Sequence, residues 1–259
     1  MPARGADETK MTAPSIHRDA YIDLIKRSIT NYIYLGGDAE FDRFRCVTHY
    51  DTGAGQWKIE PLARPATLLT RTQLDLVQEA IRVLEERKVP GDFIEAGIWR
   101  GGVIILMRAL MNAYGITNRQ IVASDSFAGI PKNVRDHNDP VDYWNDRWIA
   151  SLEDVRGNIA RFGLLDEKVE FLVGFFSDTL HTLAPDRRFA LIRLDSDSYE
   201  SVETSLMQLY PRLSPGGILI IDDWHLNGCK AAVMDYRAKH SVTEEIRVVE
   251  GNGYWVKAG

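Results

Sequence analysis

Between residues 92 and 240, short apolar runs alternate with amphipathic stretches, and this alternation restricts the fold more than any other feature of the chain. DFIEA (92–96), QIVAS (120–124), KVEFLVG (168–174), FALIRL (189–194) and GGILII (216–221) read as buried strands. Helical stretches lie between them. GGVIILMRALMNAYG (101–115) stops at Gly115, and SLEDVRGNIARFG (151–163) opens on a Ser cap with Asp154 three positions on. Two more helices are predicted over 198–212 and from Asn227 to His240. Strands alternating with helices give an α/β protein: a mainly parallel sheet with helices on both faces. After the fifth unit, EEIRVVE and GYWVKA are joined by Gly251-Asn252-Gly253, and an Asn-Gly pair there predicts a C-terminal antiparallel hairpin.

Residues 1–14 are polar, lack an apolar signal core and are expected to be disordered. From Ser15 to about Leu35, apolar residues recur at helical spacing (Tyr21, Leu24, Ile25, Ile29, Tyr32, Ile33), and a second helix is predicted from about Thr72 to Arg87. The glycine-rich stretch 36–66 between them reads as loop or short turns. This predicts an N-terminal helical cap region over 15–88 beside a main domain over 89–259. The long loop 126–150 in that domain reads as a lid.

The 259 residues carry 31 basic and 37 acidic side chains, a formal net charge of −6, and no Lys/Arg cluster interleaved with aromatics. Neither nucleic acid nor an anionic membrane is expected as a partner. Cys46 and Cys229 make no disulfide framework and no metal quartet, which favours a reducing cytoplasm. The apolar runs are too short to span a bilayer.

In an open parallel sheet, ligands bind beyond the carboxyl ends of the strands. After the first such strand comes EAGIWRGG (95–102). Gly97 would let the backbone approach a ligand, and Gly101 and Gly102 open a helix whose N-terminus faces an anion. Trp99 stands where a dinucleotide fingerprint would need glycine, and a plain strand-to-helix turn fits these residues about as well. Asp125, after the second strand, suits a ribose diol better than a helix cap. Phe175 and Phe176, after the third, suit an adenine or the core. Asp195 and Asp197 follow the fourth strand, and Asp222 and Asp223 the fifth. Several hard oxygen donors at one rim suit Mg²⁺. Asp195 and Asp197 share a side if the backbone stays extended. His225 is a base, a ligand or plain surface; His137, Trp144 and Trp148 lie in the expected lid. Five β/α units followed by a hairpin is the Rossmann-like topology of class I S-adenosylmethionine (SAM) methyltransferases more than that of a dehydrogenase.

VPGDFIEAGIWRGG, ASDSFAGIPK, ARFGLLDEKVEFLVGFFSDTL, RLDSDSY and YPRLSPGGILIIDD together resemble the macrocin O-methyltransferase family, from about Tyr21 to the C-terminus. Members include SAM- and Mg²⁺-dependent enzymes that methylate deoxysugars on antibiotics. The resemblance implies a class I methyltransferase fold, SAM as donor and a sugar hydroxyl of a glycosylated natural product as acceptor. It implies Asp195, Asp222 and Asp223 as metal ligands and Asp197 as general base; apart from the resemblance, His225 is the next candidate base. It implies that Glu95, Gly97, Trp99, Arg100 and Gly101 line the methionine end of SAM, that Asp125 and Ser126 contact the ribose, and that Thr67 lies near SAM. Other readings are a Mg²⁺-dependent catechol-type methyltransferase, an NAD-dependent oxidoreductase and a non-catalytic binding protein; the glycine pattern and hairpin count against NAD, and four rim acids against the last. Apolar and tyrosine residues on the helical cap predict a homo-oligomer.

Overall fold

The computed structural model describes residues 13–35, 46–51, 56–61, 65–131 and 148–259. Helix α1 (Ala13–Ile29) is followed by one short turn of helix, α2 (Tyr32–Leu35). The apolar spacing predicts one continuous helix here. It breaks because the Thr30 hydroxyl donates back to the Lys26 carbonyl (2.7 Å) and Asn31 turns left-handed (φ 61°), a conformation asparagine tolerates. Strands β1 (Cys46–Asp51) and β2 (Gln56–Pro61) pair antiparallel, with Thr48 opposite Ile59. A ribbon thus occupies part of the stretch expected to be loop. Trp57 and Ile59 alternate with Lys58 and Glu60, a period-two pattern that the surrounding turn residues obscure.

Helix α3 (Arg71–Glu86) starts at a full capping box: the Thr70 hydroxyl accepts from the Gln73 amide, and the Gln73 side chain accepts from the Thr70 amide. The main sheet then builds up from β3 (Asp92–Ala96), α4 (Gly102–Tyr114), β4 (Ile121–Asp125), α5 (Leu152–Arg161), β5 (Val169–Val173), the short α6 (Phe176–Thr179), β6 (Phe189–Leu194), α7 (Tyr199–Leu209), β7 (Leu213–Ile221), α8 (Asn227–His240), β8 (Arg247–Val249) and β9 (Asn252–Val256). Gly115 ends α4 in the left-handed conformation, and Ser151 caps α5, as their positions predict.

Seven strands form one sheet in the order β5-β4-β3-β6-β7-β9-β8. The first five are parallel; β9 is antiparallel to both β7 and β8. This is the expected α/β architecture, a mainly parallel sheet edged by a C-terminal hairpin. The hairpin turn, however, is Glu250-Gly251, both at positive φ (44° and 84°). Asn252 instead sits inside β9, fully buried, and its Nδ2 donates to the Asp222 carbonyl at 3.1 Å.

Alternate strand residues feed two cores. Phe93, Leu191 and Ile220 pack under α1, α3 and α4, while Ile94, Ile192, Leu219 and Ile221 pack with α7 and α8. Ile22, Ile25 and Ile29 of α1 and Leu74, Val77 and Ile81 of α3 belong to the first core, so the N-terminal helices share the sheet's own interior. Lys26 of α1, nearly fully buried, donates to Asp75 and Gln78 of α3 at 2.5 Å each, a polar tie between the two helices. Among the described residues no helix is long and apolar enough to cross a membrane.

Candidate active site

A cavity of about 560 Å³ lies beyond the carboxyl ends of the central strands, where the sheet order reverses between β3 and β6. Such a switch point is where open parallel sheets leave a crevice for ligands.

The acidic wall is built by RLDSDSY and IDD. Asp195 lies one residue past the end of β6. The backbone does not stay extended: Asp197 is left-handed (φ 56°), and Ser198 then caps α7 by accepting from the Ser201 amide. This turn, in place of strand alternation, gathers carboxylate oxygens of Asp195, Asp197 and Asp223 within 4.8 Å of one another. Asp222 is drawn elsewhere. Its Oδ1 accepts from Arg193 Nη2 at 2.5 Å.

Burial pushes Asp195 and Asp223 well above the usual carboxylate range, and the crowded neighbouring acids add to the effect. Burial also pushes Asp197 up to about 6, against a hydrogen bond with Asp223 that lowers it. Asp223 Oδ2 is buried with no hydrogen-bond partner. Three converging hard oxygen donors, one of them unpartnered and all disfavoured as bare anions, fit a small divalent cation such as Mg²⁺.

The sequence pattern did not single out Arg193, the hub of this wall. It is fully buried, and its Nη1 donates to Glu95 Oε1 and, at 2.9 Å, to Asp195 Oδ2. The signal was present: an arginine inside the otherwise apolar run FALIRL must find buried acceptors. Glu95 is its register partner on β3. Burial lifts Glu95 to about 7 despite the guanidinium beside it. The second Glu95 oxygen, Oε2, is buried, unpartnered and part of a residue lining the cavity, so it fits a cationic group on a ligand.

The loop after β3 forms the opposite wall. Gly97 has φ +90°, and a Cβ there would lie 1.6 Å from the Asp195 carbonyl oxygen. Its glycine is required by the neighbouring strand end. The Asp125 carboxylate holds this loop: Oδ2 accepts from the amides of Ile98 (2.9 Å) and Trp99 (3.2 Å), and Oδ1 from that of Phe127 (2.8 Å). A carboxylate retains further lone pairs for ribose hydroxyls. Ser126 donates to the Gly129 carbonyl at 2.6 Å and lines the cavity. Thr67 is buried beside the start of α4. The Ile29 carbonyl at the end of α1 accepts from the Ala66 and Thr67 amides, and a Cβ on Gly102 would meet the Thr67 Cβ at 2.6 Å.

Phe175 and Phe176 line the cavity, as do Trp99 and Trp148, whose rings meet edge-on at 5.4 Å. Arg100 and Gly101 stand behind the loop, outside the lining. Arg100 donates to the Pro65 carbonyl, and its guanidinium lies over the Trp99 ring. His225 is exposed, beside Gly251, and is not among the residues that line the cavity. Most of the expected lid, with His137 and Trp144, lies outside the described residues. Glu200 and Thr204, one turn apart on α7, also face the cavity, although their sequence reads as an ordinary helix start.

Residues 18–258 match the model of the macrocin O-methyltransferase (TylF) family. The chain is 39% identical over 244 residues to the 8-demethyl-8-(2,3-dimethoxy-α-L-rhamnosyl)-tetracenomycin-C 4′-O-methyltransferase of Streptomyces olivaceus, with 92% of each chain covered. It is 35% identical over 256 residues to the mycinamicin III 3″-O-methyltransferase of Micromonospora griseorubida, covering 94% of this chain and 98% of that one. The solved structure of the O-methyltransferase NovP superposes with a TM-score of 0.80 at 32% identity, covering 93% of this chain and all of that one.

Proposed function

Because the chain belongs to the macrocin O-methyltransferase family, we propose that it methylates a sugar hydroxyl of a glycosylated natural product, with SAM as donor and Mg²⁺ as metal. One observation carries this reading: a single cavity is lined both by Glu95, with its open oxygen, and by the Asp195, Asp197 and Asp223 cluster beside it. The two relatives named above act, by their names, on different hydroxyls, so the position methylated is not carried over.

Glu95 would hold the cationic amino group of SAM, with Thr67, Gly97 and Trp99 along the methionine. Asp125 and Ser126 would take the ribose, and Phe175 and Phe176 would flank the adenine. Arg100 and Gly101 serve by bracing the loop. SAM supplies a methyl group already activated by its sulfonium. Asp195 and Asp223 would hold Mg²⁺, which when bound lowers the pKa of a hydroxyl it ligates, and Asp222, the third expected ligand, would have to turn from Arg193 to join them. Asp197 would accept the hydroxyl proton as the methyl passes from the sulfonium to the oxygen, S-adenosylhomocysteine being the leaving group. Burial raises the Asp197 carboxyl above the ordinary value, the direction that makes it a better proton acceptor. The aromatic wall of Trp99 and Trp148 excludes water from the transfer. We read the chain as cytoplasmic and self-associating, the latter on the exposed Ile16 and Leu24 of α1.

Calorimetry with SAM, S-adenosylhomocysteine and NAD, each with and without Mg²⁺, tests the donor. SAM and its product should bind and NAD should not; the reverse result sinks the reading. Labelled SAM offered with glycosylated aglycones and with free catechols tests the acceptor. Transfer to catechols alone would replace the sugar with a catechol.

A further inference from the structure

Arg193 links two parts of the cavity that the proposed function keeps separate. Its Cα is in register with Glu95 across β3 and β6, and with Ile220 of β7 on the other side. One guanidinium nitrogen is shared between Glu95 and Asp195, and the other engages Asp222. Arg193 is fully buried, and Glu95 is nearly so. These are direct contacts to a buried guanidinium, and buried charges interact far more strongly than exposed ones. The planar fork sets the angles between its acceptors, which a point charge cannot do.

We propose that Arg193 is a positioning residue that couples the donor subsite to the cation subsite, so that occupancy of one changes affinity at the other. The inference rests on the SAM and Mg²⁺ reading above. A cation at the aspartates competes for the charge that Arg193 otherwise neutralises, and the guanidinium is then drawn towards Glu95. A donor ligand on Glu95 Oε2 draws on the same ion pair from the other end. Linkage of this kind is reciprocal: the factor by which one ligand alters the other's affinity is the same measured from either side.

The test is calorimetry on the metal-free full chain, using Mn²⁺ as the cation and S-adenosylhomocysteine as a donor analogue that cannot turn over. Wild type should bind each alone, and each should change the other's affinity by about fivefold or more, equally in both directions. Glu95→Gln should bring that factor close to one while Mn²⁺ alone still binds. Arg193→Lys keeps the charge but loses the fork, and should weaken Mn²⁺ binding by about tenfold or more; a purely electrostatic role predicts no loss. Should Arg193→Lys fail to fold, Glu95→Gln still decides the matter. Two ligands that bind wild type independently, or a full linkage factor in Glu95→Gln, would overturn the coupling and leave the proposed function standing. Failure of wild type to bind either ligand would instead remove the proposed function beneath it.

Discussion

Gly97→Ala separates two roles for the glycine after β3. If Gly97 served close approach of a ligand, the substitution would harm SAM binding and spare the empty protein. The structure assigns the crowding to the chain itself, since the new Cβ would lie 1.6 Å from the Asp195 carbonyl oxygen, at a φ of +90°. Left-handed backbone at a residue bearing a Cβ costs about 1–2 kcal/mol. Displacing the well-packed end of β6 adds about 1–3 kcal/mol. Together these predict a loss of roughly 2–5 kcal/mol, a fall in Tm of about 4–20 °C for a domain of this size. The strand end that moves carries Asp195, and a displacement of ~1 Å at a reacting centre lowers rate by about 10²-fold. A thermal melt followed by circular dichroism in EDTA, with no ligand present, measures the first effect; initial rates at saturating SAM measure the second. A ligand-free variant melting within about 2 °C of wild type would refute the steric account.

Asp197→Asn should retain SAM affinity and lower kcat by about 10²–10⁴-fold; a variant near the wild-type rate would require another base. Chelation with EDTA should abolish turnover and Mg²⁺ should restore it, whereas full activity in chelator would release Asp195, Asp222 and Asp223 from ligand roles. Thr70→Ala removes the α3 cap and should lower stability by ~1 kcal/mol without altering SAM affinity, as a denaturant titration would show. For pH, Glu95 has a folded-state pKa of about 7, above its ordinary value, so the folded chain binds more protons than the unfolded chain between those limits. Metal-free stability should therefore fall as pH rises through that window, by on the order of 3 kcal/mol from this residue. Glu95→Gln should flatten the slope, and an unchanged slope would argue against a buried, ionising Glu95.

The parallel core was legible in the sequence because DFIEA, QIVAS and GGILII are short, apolar and bounded by turn residues. Gly115 and Ser151 mark helix ends by local chemistry alone, and that chemistry survives folding. In the hairpin and at the acidic wall, a tertiary partner overrides local preference. Asn252-Gly253 has the composition of a hairpin turn, yet Asn252 is buried in β9 to reach the Asp222 carbonyl, and Glu250-Gly251 makes the turn. The acids were legible as a group because four of them end two strands. Their division was not, because it depends on the left-handed turn at Asp197 and on Arg193 drawing Asp222 aside. Arg193 itself gave only the weak cue of one charge in an apolar strand.

The hairpin turn at Glu250 also bears on how the protein is made. The Thr70 hydroxyl donates to the Glu250 side chain, Gln73 Nε2 donates to the Glu250 carbonyl at 2.9 Å, and Trp224 NH donates to the Gly251 carbonyl at 3.0 Å. The backbone that carries Asp222 and Asp223 is thus pinned by residues about 30 positions downstream, and the same turn rests on a helix start 180 positions upstream. A ribosome emits chain in one direction, at roughly 5–20 residues per second. The segment with Asp222 and Asp223 leaves it before the strand that pins it, so a nascent chain carries these acids for some seconds before their backbone is fixed. Catalytic competence arrives late, with β9, and chains released short of that strand should be inert instead of promiscuous.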